Sequence, residues 1–314
     1  MRVLFIFLDG IGLGENNPEK NPFARAQMPN LSRLLEGRSL LKIAAPFHGE
    51  YASLVAVDPA VGVSGLPQSA TGQAILLTGK NIPAELGYHY GPKPNPAVAS
   101  FLKDDTLFAN LAKAGKKTAL LNGYPPRYFH GIDSGKRLYS SIPLAVTNAG
   151  IPLFRHEDLF AGRALSADFT GEGWRTMLGF LDAPVMDAPE AGRKLGKLAK
   201  EYDFSLFEYW ASDYAGHKQQ MDEAIRLMET FDEVLGGLVQ VWDDGLILVT
   251  SDHGNMEDMS TRKHTAAHVP ALVIGEKAAR QEFTHGMKDL TDIAPAVWRT
   301  VMGDLNKSHK DLIS

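Results

Sequence analysis

Three apolar runs in this chain end on an acidic residue. "LFIFLD" closes on Asp9, "SLFEYWASD" on Asp213 and "LILVTSD" on Asp252. Two of them bring a histidine along: His217 stands four residues after Asp213, and His253 directly follows Asp252. A fourth stretch, "KHTAAHVPALVIG", places His264 and His268 just ahead of another apolar run. Short aliphatic and β-branched runs bounded by polar residues and glycine suit strands buried on both faces. In an open α/β sheet the C-terminal ends of parallel strands share one edge, and ligands bind there. Carboxylates and neutral imidazoles gathered at such an edge suit zinc, manganese or iron. Each residue alone has an ordinary explanation. An aspartate after a strand caps a turn or a helix, and Asp and His four apart on a helix can simply hydrogen-bond. Recurrence carries the reading: four of the ten histidines fall between positions 217 and 268.

A metal site of this kind needs a group to activate. "GLPQSATGQAILLTGKN" puts Ser69 at the first turn or N-cap of an apolar-periodic helix. Free N–H groups at a helix start favour anions, and a metal can activate a hydroxyl there for attack on phosphorus. Thr71 is the rival nucleophile. The plainer alternative is that Ser69 only caps the helix. Two neighbouring glycine patterns fail on inspection. "ILLTGKN" lacks the first glycine and the final hydroxyl of a phosphate-binding loop, and "GIGLGE" has Glu15 where the third glycine of a dinucleotide fingerprint belongs.

Composition narrows the rest. The chain has 314 residues, 44% hydrophobic and 22% charged, in the range of globular proteins. There is no cysteine, so disulfides, thiolate metal sites and cysteine nucleophiles are excluded. The net charge of -5 offers no attraction to nucleic acid or to an anionic membrane. The apolar opening Val3–Leu8 is too short for a membrane span or a signal segment, and we read the protein as cytoplasmic. Asn30-Leu31-Ser32 and Asn306-Lys307-Ser308 are formal glycosylation sequons, without meaning in such a chain. Nothing in the composition fixes the oligomeric state.

The elements that must position these residues alternate. Strands are expected at Val3–Leu8 and within "KKTALLNG", "DFSLFEYW", "DGLILVT" and "PALVIG". Helices are expected within "MPNLSRLLEG", "SATGQAILLTG", "TLFANLAKAG", "APEAGRKLGKLAKEY" and "QQMDEAIRLMETFDEVLGGLVQVW". Such alternation implies a mostly parallel central sheet flanked by helices on both faces. One domain over 1–314 is the simplest organisation. The Pro-, Gly- and Tyr-rich segment of about 85–175 is read as a small insertion or lid within it, or as a set of long site loops.

Taken in order, these motifs resemble those of the alkaline phosphatase superfamily of metalloenzymes. The likeness is greatest to the branch with cofactor-independent phosphoglycerate mutase and phosphopentomutase. The matching residues are Asp9-Gly10, Ser69 in "SATGQAILLTG", Asp213 with His217, Asp252-His253-Gly254, and His264 to Pro270. The resemblance covers about 1–80 and 200–300. It implies an alkaline-phosphatase-like fold and two divalent metal ions, manganese or zinc. One ion would take Asp213, His217 and His264; the other would take Asp9, Asp252, His253 and the Ser69 oxygen. It makes His268 a neighbour rather than a ligand. It further implies that Ser69 attacks phosphorus and forms a phosphoserine.

One departure bears on activity. The phosphoglycerate mutases of the family carry a large inserted domain between the nucleophile and the D-x-x-x-H pair. Here that interval runs only from Ser69 to Asp213, and no large cap domain is expected in it. His89, Lys93, Arg127 and Arg155 are the candidate substrate-binding residues in this interval. The expected function is therefore two-metal phosphoryl transfer on a small phosphorylated metabolite, as a phosphatase or phosphotransferase. The alternatives are a phosphomutase of phosphoglycerate or phosphopentose type, a phosphodiesterase, and, outside enzymes, a metal-binding protein with a decayed site.

Overall fold

The computed structural model describes residues 1–303; the second sequon, 306–308, lies outside them. The strands are β1 (Val3–Leu8), β2 (Phe47–His48), β3 (Ala52–Val57), β4 (Thr118–Leu120), β5 (Gly123–Tyr124), β6 (Phe154–Arg155), β7 (Phe204–Tyr209), β8 (Leu246–Thr250) and β9 (Val269–Ile274). Seven of them form one sheet in the order β2-β3-β9-β8-β1-β7-β4, while β5 and β6 pair separately. β8, β1, β7 and β4 are mutually parallel. β9 runs antiparallel to both β8 and β3, and β2 antiparallel to β3.

β1 shows why the sheet sits in the centre. All six of its residues are buried. Val3, Phe5 and Phe7 pack into one core and Leu4, Ile6 and Leu8 into another. This is the two-residue period of a strand with helices on both sides. Helices Ser69–Thr78, Leu107–Lys113, Ser141–Asn148 and Ile293–Met302 cover the first face. Pro29–Leu34, Ala188–Ala199 and Met221–Val241 cover the second. The expected architecture is therefore present.

Several features go beyond the sequence reading. The strands β2, β3, β5 and β6 and the helices Ser141–Asn148 and Ile293–Met302 are not among the expected elements, and β9 reverses direction. The connection from β8 to β9, residues 251–268, contains no helix. A parallel return would need a crossover, usually helical, to cover the sheet; this segment instead loops at the rim and comes back antiparallel. The reversal has a functional consequence. A residue just ahead of an antiparallel strand lies at the same rim as residues just after its parallel neighbours, so His264 arrives beside His253 and Asp213. Register completes the alignment. Phe7 pairs with Thr250 and Leu8 with Tyr209, so extending each strand brings Asp9 to the level of Asp252 and Trp210.

The segment of about 85–175 contributes to the body of the fold as well as to its edge. β4 pairs with β7 in the main sheet, and residues of Leu107–Lys113 and Ser141–Asn148 belong to the first core. At its end a satellite core of Leu159, Trp174 and Ala183 forms outside the two main ones. On the second face, Ala188–Ala199 lies against Met221–Val241 at van der Waals range. A Cβ on Gly192 would collide with the Val234 carbonyl oxygen, and one on Gly237 with that of Pro189. Backbone cannot yield as a side chain can. Gly192→Ala is expected to lower the unfolding free energy by about 1–3 kcal/mol, measured by denaturant titration; unchanged stability would show that these helices can separate freely.

Candidate metal centre

The rim gathers every metal-ligand candidate named above. Asp9 follows β1 directly, and Ser212 anchors the turn by donating its hydroxyl to the Asp9 carbonyl at 2.6 Å. Asp213 and His217 lie one turn apart on the helix Ala211–Lys218, which follows β7. Asp252 and His253 follow β8 and are fully buried. Ser69 is the first residue of the helix Ser69–Thr78. That helix can approach because position 72 is glycine; a Cβ there would stand 2.8 Å from the Asp252 Cβ.

Two groups of donor atoms result. In the first, His217 Nε2 lies 3.2 Å from Asp213 Oδ2 and 3.2 Å from His264 Nε2, while His264 Nε2 lies 3.8 Å from Asp213 Oδ1. In the second, His253 Nε2 lies 3.0 Å from Ser69 Oγ, 3.4 Å from Asp9 Oδ1 and 3.5 Å from Asp252 Oδ2. The rings of His253 and His264 stack with centroids 3.6 Å apart, joining the groups. Asp213 stands between them, since it also comes within 4.8 Å of the Asp9 and His253 donors.

The imidazoles are held by backbone carbonyls. Nδ1 of His264 faces the Pro67 carbonyl at 2.8 Å, Nδ1 of His217 that of Arg262 at 2.7 Å, and Nδ1 of His253 that of Gly254 at 3.3 Å. A carbonyl only accepts, so each Nδ1 carries a proton, and a neutral ring then turns an Nε2 lone pair inward. Ring orientation by an outer hydrogen bond is the usual support of a ligating histidine. Two such lone pairs 3.2 Å apart repel unless a proton or a metal ion lies between them.

The carboxylates show the same excess of acceptors. Asp9 Oδ1 is buried without a hydrogen-bond partner. Burial, then the Asp252 and Asp213 charges, raises the Asp9 carboxyl well above its usual range. Burial and the Asp213 charge push Asp252 up to about 8. Burial, followed by the nearby His264, holds His253 well below an ordinary imidazole. Divalent ions fit this donor set. Tetrahedral donors about 2.1 Å from an ion stand about 3.4 Å apart, close to the separations within each group. Nothing about the set distinguishes manganese from zinc.

Several supporting residues were not singled out from sequence. Glu257, buried, accepts from the Gly12 N–H at 3.0 Å and the Asn255 N–H at 2.8 Å, and from the Thr265 hydroxyl. It ties the loop after β1 to the loop after β8. Asn255 donates to Asp213 Oδ1 at 2.6 Å, and Gln73 to Asp252 Oδ2 at 3.4 Å. Glu208 is the single acidic residue of β7. Its Oε1 accepts from the Tyr124 hydroxyl at 2.5 Å, and its charge adds to the lifting of Asp9. An acid at a core-facing strand position was the available signal for Glu208; the four-residue spacing from His253 was that for Glu257.

Other candidates fall outside the donor groups. Thr71 is engaged elsewhere: its hydroxyl donates to the carbonyls of Gln68 and Tyr90 and accepts from the Tyr90 N–H. His268 is exposed. His89 lies near the 63–65 loop, its Nε2 3.2 Å from the Val63 carbonyl. Lys93 donates to the Leu138 carbonyl at 2.5 Å, and burial and Arg137 lower its pKa. Arg127 is exposed, and Arg155, also exposed, lies 4.2 Å over the Phe129 ring.

Residues 175–304 match the Metalloenzyme superfamily. The 2,3-bisphosphoglycerate-independent phosphoglycerate mutase of Desulforudis audaxviator is 34% identical over 122 residues, 36% of this chain and 24% of that protein. The enzyme of the same name from Aliivibrio fischeri is 36% identical over 125 residues, with the same shares. The match thus spans about a quarter of these curated relatives. Among solved structures, the PH0037 protein of Pyrococcus horikoshii aligns with a TM-score of 0.56 at 14% identity, covering 98% of both chains. Alkaline phosphatase from the Antarctic bacterium TAB5 has the same score and identity, covering 98% of this chain and 99% of its own. The last two show the fold. Among the described residues no helix is long and apolar enough to cross a membrane.

Glu208 provides a test of the site's electrostatics. Burial pushes its carboxyl up to about 7, against an ordinary 4.5. A carboxyl raised in the folded state stabilises below the unfolded value, and that contribution is lost as pH rises through the folded one. The stability of wild type relative to Glu208→Gln should therefore fall between pH about 4.5 and 7, read from denaturant midpoints across that range. A flat difference would show that Glu208 titrates normally.

Proposed function

We propose that this chain, an alkaline-phosphatase-like metalloenzyme by its family match and its fold, transfers phosphoryl groups from a small phosphorylated metabolite through Ser69. The observation that carries the reading is the placement of the Ser69 hydroxyl 3.0 Å from His253 Nε2, within the second donor group and at a helix start. Asp213, His217 and His264 would hold one divalent ion, manganese or zinc. Asp9, Asp252, His253 and the Ser69 oxygen would hold the second. Bound there, the pair would neutralise charge on the nucleophilic oxygen and on the phosphoryl group.

The chain's own residues supply the remainder. Ser69 gives up its hydroxyl proton to solvent and its Oγ attacks phosphorus in line; the bond to the leaving oxygen breaks as the Oγ–P bond forms, and the leaving oxygen takes a proton from water, leaving phosphoserine. Water or a second hydroxyl then takes the phosphoryl group and returns the serine. The Tyr90 carbonyl accepts from the Thr71 N–H at 3.0 Å, which leaves the Ser69 and Ala70 N–H groups as the helix-start donors for an anion. The same contact fixes the 88–93 loop across the helix start, and Gly91 would set a Cβ 3.1 Å from the Ser69 nitrogen. For substrate contacts we favour His89 and Lys93, both near that loop, over Arg127 and Arg155. Lysine is an established point-charge partner for phosphate.

A phosphatase or phosphotransferase fits better than a mutase. A mutase must shield its phosphoenzyme from water while the product turns over. Much of the interval between Ser69 and Asp213 is committed to the body of the fold. The mutase reading draws on the names of the relatives; the Asp213 to His264 motifs themselves lie within the family match at 175–304. Activity on diesters alone would instead assign a phosphodiesterase.

Ser69→Ala should retain bound metal while p-nitrophenyl phosphate turnover by the manganese- or zinc-loaded protein falls at least about a thousandfold. Unchanged turnover would remove Ser69 from the chemistry and point to Thr71 or to water. Isomer exchange with little free phosphate would establish the mutase alternative.

A further inference from the structure

The helix that carries Asp213 and His217 shows two unequal sides. Ser212, Ala215 and Gly216 are buried, and Gly216 abuts the Asn255 side chain. At 100° per residue these three share one side of the Ala211–Lys218 helix. Trp210, Asp213, Tyr214 and His217 fall within an arc of about 100° on the opposite side. Asp213 and His217 turn into the donor groups. Trp210 and Tyr214, one turn apart, remain 53% and 58% exposed. The Lys218 ammonium lies 5.5 Å from the Tyr214 ring centre and supports it from one side.

Exposed apolar side chains scattered singly need no explanation, but an exposed aromatic pair flanking a polar centre does. The segment that holds His264 adds a further apolar side chain. Leu66, 39% exposed, immediately precedes Pro67, whose carbonyl accepts from the His264 ring. The mouth of the site thus joins a charged interior to a partly apolar, aromatic rim. Binding sites that orient a ligand at both ends combine polar groups with aromatic walls in this way.

Resting on the phosphoryl-transfer reading of the site, we propose that Trp210 and Tyr214 determine specificity by receiving the planar, non-phosphate part of the substrate. The substrate class is a phosphate monoester that carries an aromatic ring or a nucleobase. The ester's phosphate would lie at Ser69 and the ring against the indole and against the phenol face that Lys218 leaves open. Trp210 and Tyr214 are positioned by the same helix as two of the candidate ligands, so stacking and phosphate placement would be coupled through one rigid element. A purely aliphatic ester would leave both aromatic faces in water.

The test compares adenosine 5′-monophosphate with glycerol 3-phosphate on metal-loaded wild type and on the Trp210→Ala/Tyr214→Ala double variant. The ratio of kcat/KM for the nucleotide over the glycerol ester should fall about tenfold or more in the variant, mainly through KM, while Trp210→Phe restores most of it. Equal losses on both esters, or an unchanged ratio, would overturn the assignment. Binding gives a readout independent of turnover. In the metal-loaded Ser69→Ala protein, adenosine 5′-monophosphate should quench tryptophan fluorescence at lower concentration than ribose 5-phosphate, and Trp210→Phe should abolish the quench. If wild type turns over neither ester yet this quench is present, phosphoryl transfer fails while the aromatic site stands. If the quench is absent, or the double variant changes oligomeric state instead, the rim is not a substrate platform.

Discussion

The organising constraint of this structure is a surplus of acceptors, most of them buried, at one edge of a sheet. Three imidazole Nε2 lone pairs and the oxygens of Asp9, Asp213 and Asp252 converge with few donors among them. Burying a charge without a partner is costly, and a group so placed shifts its pKa until it is neutral. The raised Asp9 and Asp252 carboxyls express that cost. A divalent cation removes it by giving every inward lone pair a partner. The fold therefore holds, against mutual repulsion, a set of groups that a bound cation would make mutually favourable.

The surrounding structure is arranged to resist that repulsion. Each imidazole is tethered through Nδ1 to a carbonyl of the chain, so its inward face cannot rotate away. Glu257 ties the loops that carry Asp9 and His253 by accepting from N–H groups of both. Gly72 lets the Ser69 helix come down on Asp252. These are rigid, mostly buried connections. They preorganise the donors at separations suited to ions without calling on long mobile side chains.

Much of this was legible in the sequence. β1, β7 and β8 announce themselves as buried apolar runs, and the acids and histidines at their ends mark the rim. Ser69 was legible from the helix start that it opens. The direction of β9 was not: the sequence shows no helix in residues 251–268, but the antiparallel pairing of β9 with β8 and β3 is a tertiary outcome that local pattern does not encode; with a parallel β9, His264 would lie at the opposite edge. Asn255 and Gln73 were hidden for a related reason: each acts through a partner distant in sequence, and nothing local distinguishes it from an ordinary polar residue. Trp210 and Tyr214 could have been found by placing Asp213 and His217 on a helix and asking which residues share their face.

Whether the rim binds two ions is read most directly from anomalous X-ray scattering by crystals of the protein prepared with manganese. Two anomalous peaks per chain are expected, about 4 Å apart, one among Asp213, His217 and His264 and the other among Asp9, Ser69, Asp252 and His253. A rim without anomalous density, or ions bound only at other surfaces of the molecule, would contradict the two-ion reading.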